Sequence, residues 1–231
     1  MRTQLGAVVA GATMVVLVPT AAQAAIVADW EMDEEPNASV MVDSAGGDNN
    51  GSIHSVQTGV DGLAGGNAYQ FAGTTSWVDV PDNSNLDPGA ANITLTATVK
   101  IPAGSMADDS YEVVRKGLVN TKGGDWKMEI KRKGSNATIG HLHCVFKGVL
   151  AGGGTSLVSK QGSPNVVDGG VHTLQCIKTS TQVIAVVDGK RAFATKAAGS
   201  ISNNQAVILG SKIAGDDVMQ GIVDKVTVDI G

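Results

Sequence analysis

The sequence predicts an all-β fold, a sandwich of antiparallel strands, and three observations carry that prediction. Residues 168–195 read as a polar turn, an alternating strand, the apolar run Val183–Val187 and then Asp188-Gly189. That dipeptide tolerates positive φ at both positions and so suits a tight hairpin. Short β-rich runs recur along the chain without an amphipathic helix between them. Finally, 30 glycines and the prolines Pro81, Pro88, Pro102 and Pro164 punctuate the run ends, where a missing N–H costs nothing.

In order, the expected strands are Ala25–Met32, Ala68–Phe71, Trp77–Val80, Ile93–Ile101, Tyr111–Arg115, Trp126–Arg132, Ala137–Phe146, Val171–Thr179, Gln182–Asp188, Arg191–Thr195, Ala206–Leu209 and Ile222–Ile230. The fourth shows the alternation most clearly: Ile93, Leu95, Ala97 and Val99 lie on one face, and Thr94, Thr96 and Thr98 on the other. Gly123-Gly124 and Gly152–Gly154 read as loops. With no internal repeat and no Pro- or Ser-rich linker, residues 25–231 form one expected domain.

Residues 1–24 read as a signal peptide. Arg2 gives a minimal positive start, Leu5 to Val18 are free of charge, Pro19 breaks the run, and Ala22-Gln23-Ala24 suits a cut before Ala25. A membrane anchor is the alternative, but the run falls short of the roughly 20 apolar residues a spanning helix needs. No later stretch is apolar enough to span. Removing the leader takes one base and no acid, so 16 basic residues face 22 acidic ones. That balance repels phosphate backbones and argues against nucleic acid as a partner.

Cys144 and Cys176 are the two cysteines. In an exported chain such a pair reads as one disulfide, the alternative being two independent buried thiols. On a strand Cys144 shares a face with Leu142 and Phe146, and Cys176 with Leu174, so a bridge would lie in the core.

Several motifs in order resemble a laminin G-like domain of the concanavalin A-like lectin/glucanase superfamily, in the form common in secreted bacterial proteins. They are Trp30-Glu-Met-Asp-Glu34, the loop Asp43–Ser52, Ala68–Gly73 with Trp77–Pro81, Asp168-Gly-Gly-Val-His172, Val187-Asp-Gly189 and Gly221–Val226. Val171 stands where the family usually has Trp. The resemblance implies a two-sheet antiparallel jelly-roll sandwich, with six or seven strands in each sheet and the first and last strands as neighbours.

It also implies a structural calcium ion near the paired chain ends. Asp43, Asp48, Asn49 and Asn50 offer hard oxygens, and Asp224 would clamp the loop to the last strand. Asx-turns are the alternative use of such a loop. Glu31, Asp33 and Glu35 have the parity of a glycosidase strand, but Glu34 interrupts the apolar face and Pro36 ends the run, so a solvated acidic edge is expected. His141 and His143 share a face without an evident third zinc ligand, since His172 takes the parity of Cys176. No G-x-S-x-G elbow is present.

Carbohydrate binding is the natural function for such a sandwich, combining polar groups with an aromatic platform. Of eight aromatics, Trp30, Phe71, Phe146 and Phe193 fall at expected core positions. Trp77 and Trp126 begin strands after polar loops and are the candidate platforms, with core or rim packing as the alternative. The expected function is therefore a secreted, non-catalytic recognition module for carbohydrate or a surface protein. A glycoside hydrolase or lyase and a structural adhesion or envelope protein are the alternatives.

Overall fold

The computed structural model describes residues 24–231 apart from 74, 105 and 214; the signal peptide expected over residues 1–24, Ala24 excepted, lies outside the described residues. The described strands are β1 (Ala25–Trp30), β2 (Val40–Met41), β3 (Gly51–His54), β4 (Gln57–Asp61), β5 (Asn67–Ala72), β6 (Trp77–Val80), β7 (Ile93–Lys100), β8 (Ser110–Lys116), β9 (Asp125–Lys133), β10 (Asn136–Val149), β11 (Thr155–Gln161), β12 (Val171–Lys178), β13 (Val183–Val187), β14 (Lys190–Ala194), β15 (Val207–Leu209) and β16 (Gln220–Ile230). They form two antiparallel sheets of eight strands each, where six or seven were expected. The first sheet runs β14-β13-β12-β7-β16-β5-β4, with β1 also on β16, and the second runs β11-β10-β9-β8-β15-β6-β3-β2.

Period-two patterning sets which face is buried. In β7 the aliphatic residues Ile93, Leu95, Ala97 and Val99 point inward and the threonines between them stay half-exposed, as the alternation predicted. The Asp188-Gly189 turn takes φ of 49° and 78°, the two left-handed residues a primed hairpin turn requires. Its Asp188 also accepts from His172 Nδ1 at 2.8 Å, while Asp168 Oδ1 lies 3.0 Å from His172 Nε2. The imidazole is therefore clamped between the two turns that bound β12 and β13.

The first and last strands pair directly, from Ala25 opposite Ile230 to Trp30 opposite Val226. Strand β16 carries β7 on one edge and divides the other between β5 and β1. A bulge falls between Val223 and Lys225, and there Asp224 Oδ2 accepts 3.0 Å bonds from the N–H groups of Leu63 and Ala64.

Between the sheets lie Trp30, Tyr69 and Phe71 from the first and Tyr111, Trp126 and Phe146 from the second, all essentially inaccessible. The two buried indoles are satisfied: Trp30 Nε1 donates to Asn49 O at 2.8 Å and Trp126 Nε1 to Leu86 O at 3.2 Å. Trp126 is thus a core residue, which corrects its assignment as a ligand platform: its side chain points inward with Met128 and Ile130. Phe193 departs from expectation in the other direction. It is 59% exposed on the edge strand β14, because the hairpin register sets Ala192 and Ala194 opposite the inward-facing Ala185 and Val183.

Cys144 on β10 and Cys176 on β12 form a disulfide that links the two sheets through this core. Closing a loop with a sequence separation of 32 stabilises the fold by about 3–4 kcal/mol in the chain-entropy model. Replacing both cysteines by Ala should lower the urea-unfolding free energy by about that amount and leave the strand content seen by circular dichroism intact.

Candidate ligand-binding cleft

The outer face of the second sheet is where the chain places its charges. Strand β9 alternates strictly, with Trp126, Met128 and Ile130 inward and Asp125, Lys127, Glu129 and Lys131 outward. Opposed residues share a face, so register turns these side chains into rows across the sheet. One row runs Ser159, Val145, Lys127, Arg115, Ile208, Asp79, Ser52 and Val40, from β11 to β2. The next joins His143, Glu129 and Glu112.

A cleft of about 550 Å³ opens over the β8–β11 part of these rows, with residues 118–120 on one side and Lys212 and Asp217 on the other. Its wall is apolar at Leu118, Val119, Val145 and Leu157, and its polar lining includes Asp125, Lys127, Glu129 and His143.

The polar lining is held rigidly. Lys127 Nζ lies 2.6 Å from Glu129 Oε2 and 3.2 Å from Glu112 Oε1, and Arg115 Nη1 donates to the same Glu112 oxygen at 3.0 Å. Arg115 spends Nε and Nη2 on Gly117 O at 2.8 and 2.7 Å. His143 Nδ1 lies 2.6 Å from Glu129 Oε1. Glu112, Arg115, Asp125 and Glu129 are all buried.

Burial raises the Glu112 carboxyl to about 7, against the opposing pull of Lys127 and Arg115, and the charge of Glu129 pushes it the same way as burial. Burial also opposes ionisation of Glu129. There the His143 hydrogen bond and the charge and hydrogen bond of Lys127 prevail and hold the group at about 2. The two opposed carboxylates are thus driven apart in proton affinity, Glu112 upward by burial and Glu129 downward by His143 and Lys127. Asp125 is raised by burial, only partly offset by Arg115, Lys127 and Lys147, and its Oδ1 is buried with no hydrogen-bond partner among the described residues.

Of the residues singled out in the sequence, His143 lines the cleft and the others fall elsewhere. Asp43 Oδ1 accepts from the N–H groups of Asp29 and Ala45, and Oδ2 from those of Gly47 and Asn49 and from Asn49 Nδ2, all at 2.9–3.2 Å. Asn50 Oδ1 accepts from Asp43 N at 2.8 Å, Asp48 is exposed, and Asp224 serves the bulge beside β4. Calcium wants about 6–8 free oxygens. Asp43 is filled by N–H donors, and although Asn49 Oδ1 is buried without a partner, no three of the described His, Cys, Asp and Glu residues converge as a metal site would require. The loop is a knot of Asx-type turns that seals β1 against the core.

Of the acidic run, Glu31 pairs with Lys225, Asp33 accepts from Asn67 N at 2.7 Å, and Glu34 accepts from Val42 N at 2.7 Å and from the Tyr69 hydroxyl at 2.6 Å. These carboxylates are structural ties. The histidines do not converge, since His141 faces Pro164 O, His143 the cleft and His172 its two aspartates. Trp77 is half-buried and stacks on His54 with ring centroids 4.6 Å apart, on the same sheet face as the cleft but at β3 and β6.

No protein-family model matches the chain, and no curated protein sequence is similar to it. Solved structures share its fold. The binding domain of Paraclostridial Mosquitocidal Protein 1 superposes with a TM-score of 0.64 at 16% identity, over 88% of this chain and 48% of that one. Domain 4 of AbnA, a GH43 extracellular arabinanase from Geobacillus stearothermophilus, in complex with arabinotriose, gives 0.62 at 15% identity, over 91% and 94%. The botulinum neurotoxin serotype D binding domain gives 0.60 at 12% identity, over 88% and 47%. The chain spans about half the length of the two toxin domains and nearly all of the arabinanase domain.

Two predictions follow from the electrostatics and the loop. A carboxyl raised in the folded state contributes stability below its ordinary value and loses it as pH rises through the folded one. Wild-type stability should therefore fall between about pH 5 and 8, and Glu112→Gln should flatten part of that slope in urea titrations. The remainder comes from His172, which is raised by Asp188 and Asp168 against its burial and so loses stabilisation in the same direction. For the loop, EDTA should leave the melting temperature unchanged, whereas Asp43→Ala should cost about 2–3 kcal/mol by stranding backbone donors.

Proposed function

We propose that the chain is a secreted, non-catalytic carbohydrate-recognition module of the laminin G-like kind within the concanavalin A-like superfamily, with its glycan seated in the cleft over β8–β11. The observation that carries the reading is Asp125. It lines the cleft, is 2% exposed, and keeps a buried Oδ1 without a donor. A buried acceptor left unfilled costs about 1–3 kcal/mol, which a ligand hydroxyl would recover. A sugar is amphipathic, and so is the cleft: Leu118, Val119, Val145 and Leu157 meet a ring face, while Asp125, Lys127 and His143 meet hydroxyls.

Binding rather than hydrolysis is supported by the state of the two glutamates. Glu112 is fully buried beneath Arg115 and Lys127, and Glu129 is held by Lys127 and His143. Neither is free to protonate a glycosidic oxygen or attack a sugar carbon. The arabinotriose complex of the AbnA domain supports a saccharide as ligand for this fold. The leader at residues 1–24 and the inter-sheet disulfide support export.

A glycan array that includes arabinotriose tests the reading. Wild-type protein should bind at least one saccharide, and Asp125→Ala should weaken that binding about 10–100-fold while leaving the melting temperature equal or higher, since it removes an unpartnered buried carboxylate. Absence of binding across the array, or full binding by the variant, would refute it.

A further inference from the structure

Lys178 is a buried cation without a counter-ion. It ends β12, is 1% exposed, and its Nζ donates to Ala91 O at 2.7 Å. Among the described residues no carboxylate lies within ion-pair distance of it. Lys116 shows what the chain does elsewhere: equally buried, it has Asp82 at 2.6 Å and Asp87 at 2.9 Å. Burial alone lowers the Lys178 ammonium, with no neighbouring charge in opposition. Of its three N–H donors, one has a partner among the described residues.

This lysine lines a pocket of about 580 Å³ at one end of the sandwich, where the end of β10 meets the turn after β12 and the segment after β14. The pocket shares no lining residue with the cleft over β8–β11. Its walls are mostly apolar, at Ala90, Val149, Leu150 and Ala197, with the hydroxyls of Ser180 and Ser200 as polar neighbours. Val149 and Leu150 are 39% and 40% exposed, so the apolar walls are open to a visitor.

We propose that Lys178 and this pocket form a second ligand site, which takes a small apolar carboxylate, its anionic head on the ammonium and its body against Val149, Leu150 and Ala197. An ammonium desolvated without a carboxylate is a strained arrangement that an anion relieves, and a charge-assisted bond to it is about twice as strong as a neutral one. The apolar walls exclude a fully hydrated anion as the best occupant and favour one whose other end prefers to leave water.

The test is thermal unfolding of the purified protein with hexanoate and benzoate, against acetate, glucuronate and the uncharged hexanamide and benzamide. Hexanoate or benzoate should raise the melting temperature by about 5–10 °C at a hundredfold excess over Kd, with acetate, glucuronate and the amides well below that. Lys178→Met, close in length but uncharged, should abolish the shift. Leu150→Asp, a change at a half-exposed position, should do the same by setting a carboxylate at the pocket mouth, and it decides the matter if the methionine variant does not fold. No shift with either acid, or a shift that survives in a folded variant, would overturn the site. An equal response to acetate or glucuronate would overturn its apolar half.

Discussion

The pairing along β16 is the constraint on which the rest of the sandwich rests. This strand meets β7 on one side and both β5 and β1 on the other, so residues from the beginning, the first third and the end of the domain hang from one ladder. The bulge at Asp224 lies in the ladder with β7, level with the point where the other edge passes from β5 to β1, and the Asp224 carboxylate caps the turn at Leu63 and Ala64. Such pairing joins positions some 200 residues apart, and loop-closure entropy must be met before the contact returns anything. Folding of this topology is accordingly slow, and the inter-sheet disulfide is placed to narrow the unfolded ensemble.

The second sheet divides its labour by parity. Inward residues of β9 build the core around Trp126, while the outward ones carry charge, with Glu112 and Arg115 of β8 and His143 and Lys147 of β10 among their neighbours. The result is a preorganised network in which Arg115 and Lys127 compensate two carboxylates that would otherwise repel each other. Interlocked ions of this kind contribute little to net stability, because desolvation offsets most of their attraction. What they do is hold the side chains that line the cleft in fixed positions.

Much of the fold could be read from residues alone. Alternation marked β7, and the Asp-Gly turn marked the β13–β14 hairpin, because each is a local pattern. Strands β2, β3, β4 and β11 escaped notice. Strands β2, β4 and β11 lie at sheet edges, and the polar Thr155–Gln161 or the glycine-bearing Gln57–Asp61 lacks the β-rich composition of a central strand. The cleft was harder still. Asp125, Lys127, Glu129 and Lys131 drew no notice as a set, because only strand order sets Glu112 opposite Glu129, and only burial together with His143 and Lys127 drives the two apart in proton affinity. The calcium loop shows the reverse case, since a composition that suits oxygen coordination is equally good at accepting backbone N–H bonds.

Both sheets finish on the same flank, β14 on one and β11 on the other, and each rim leaves a row of main-chain groups without a partner strand. Lys190 and Arg191 guard the first and Lys160 the second. Two molecules that met rim to rim would bring like charges together before any ladder formed. Positive side chains along both open borders therefore oppose the templating of fibrous growth from one copy to the next.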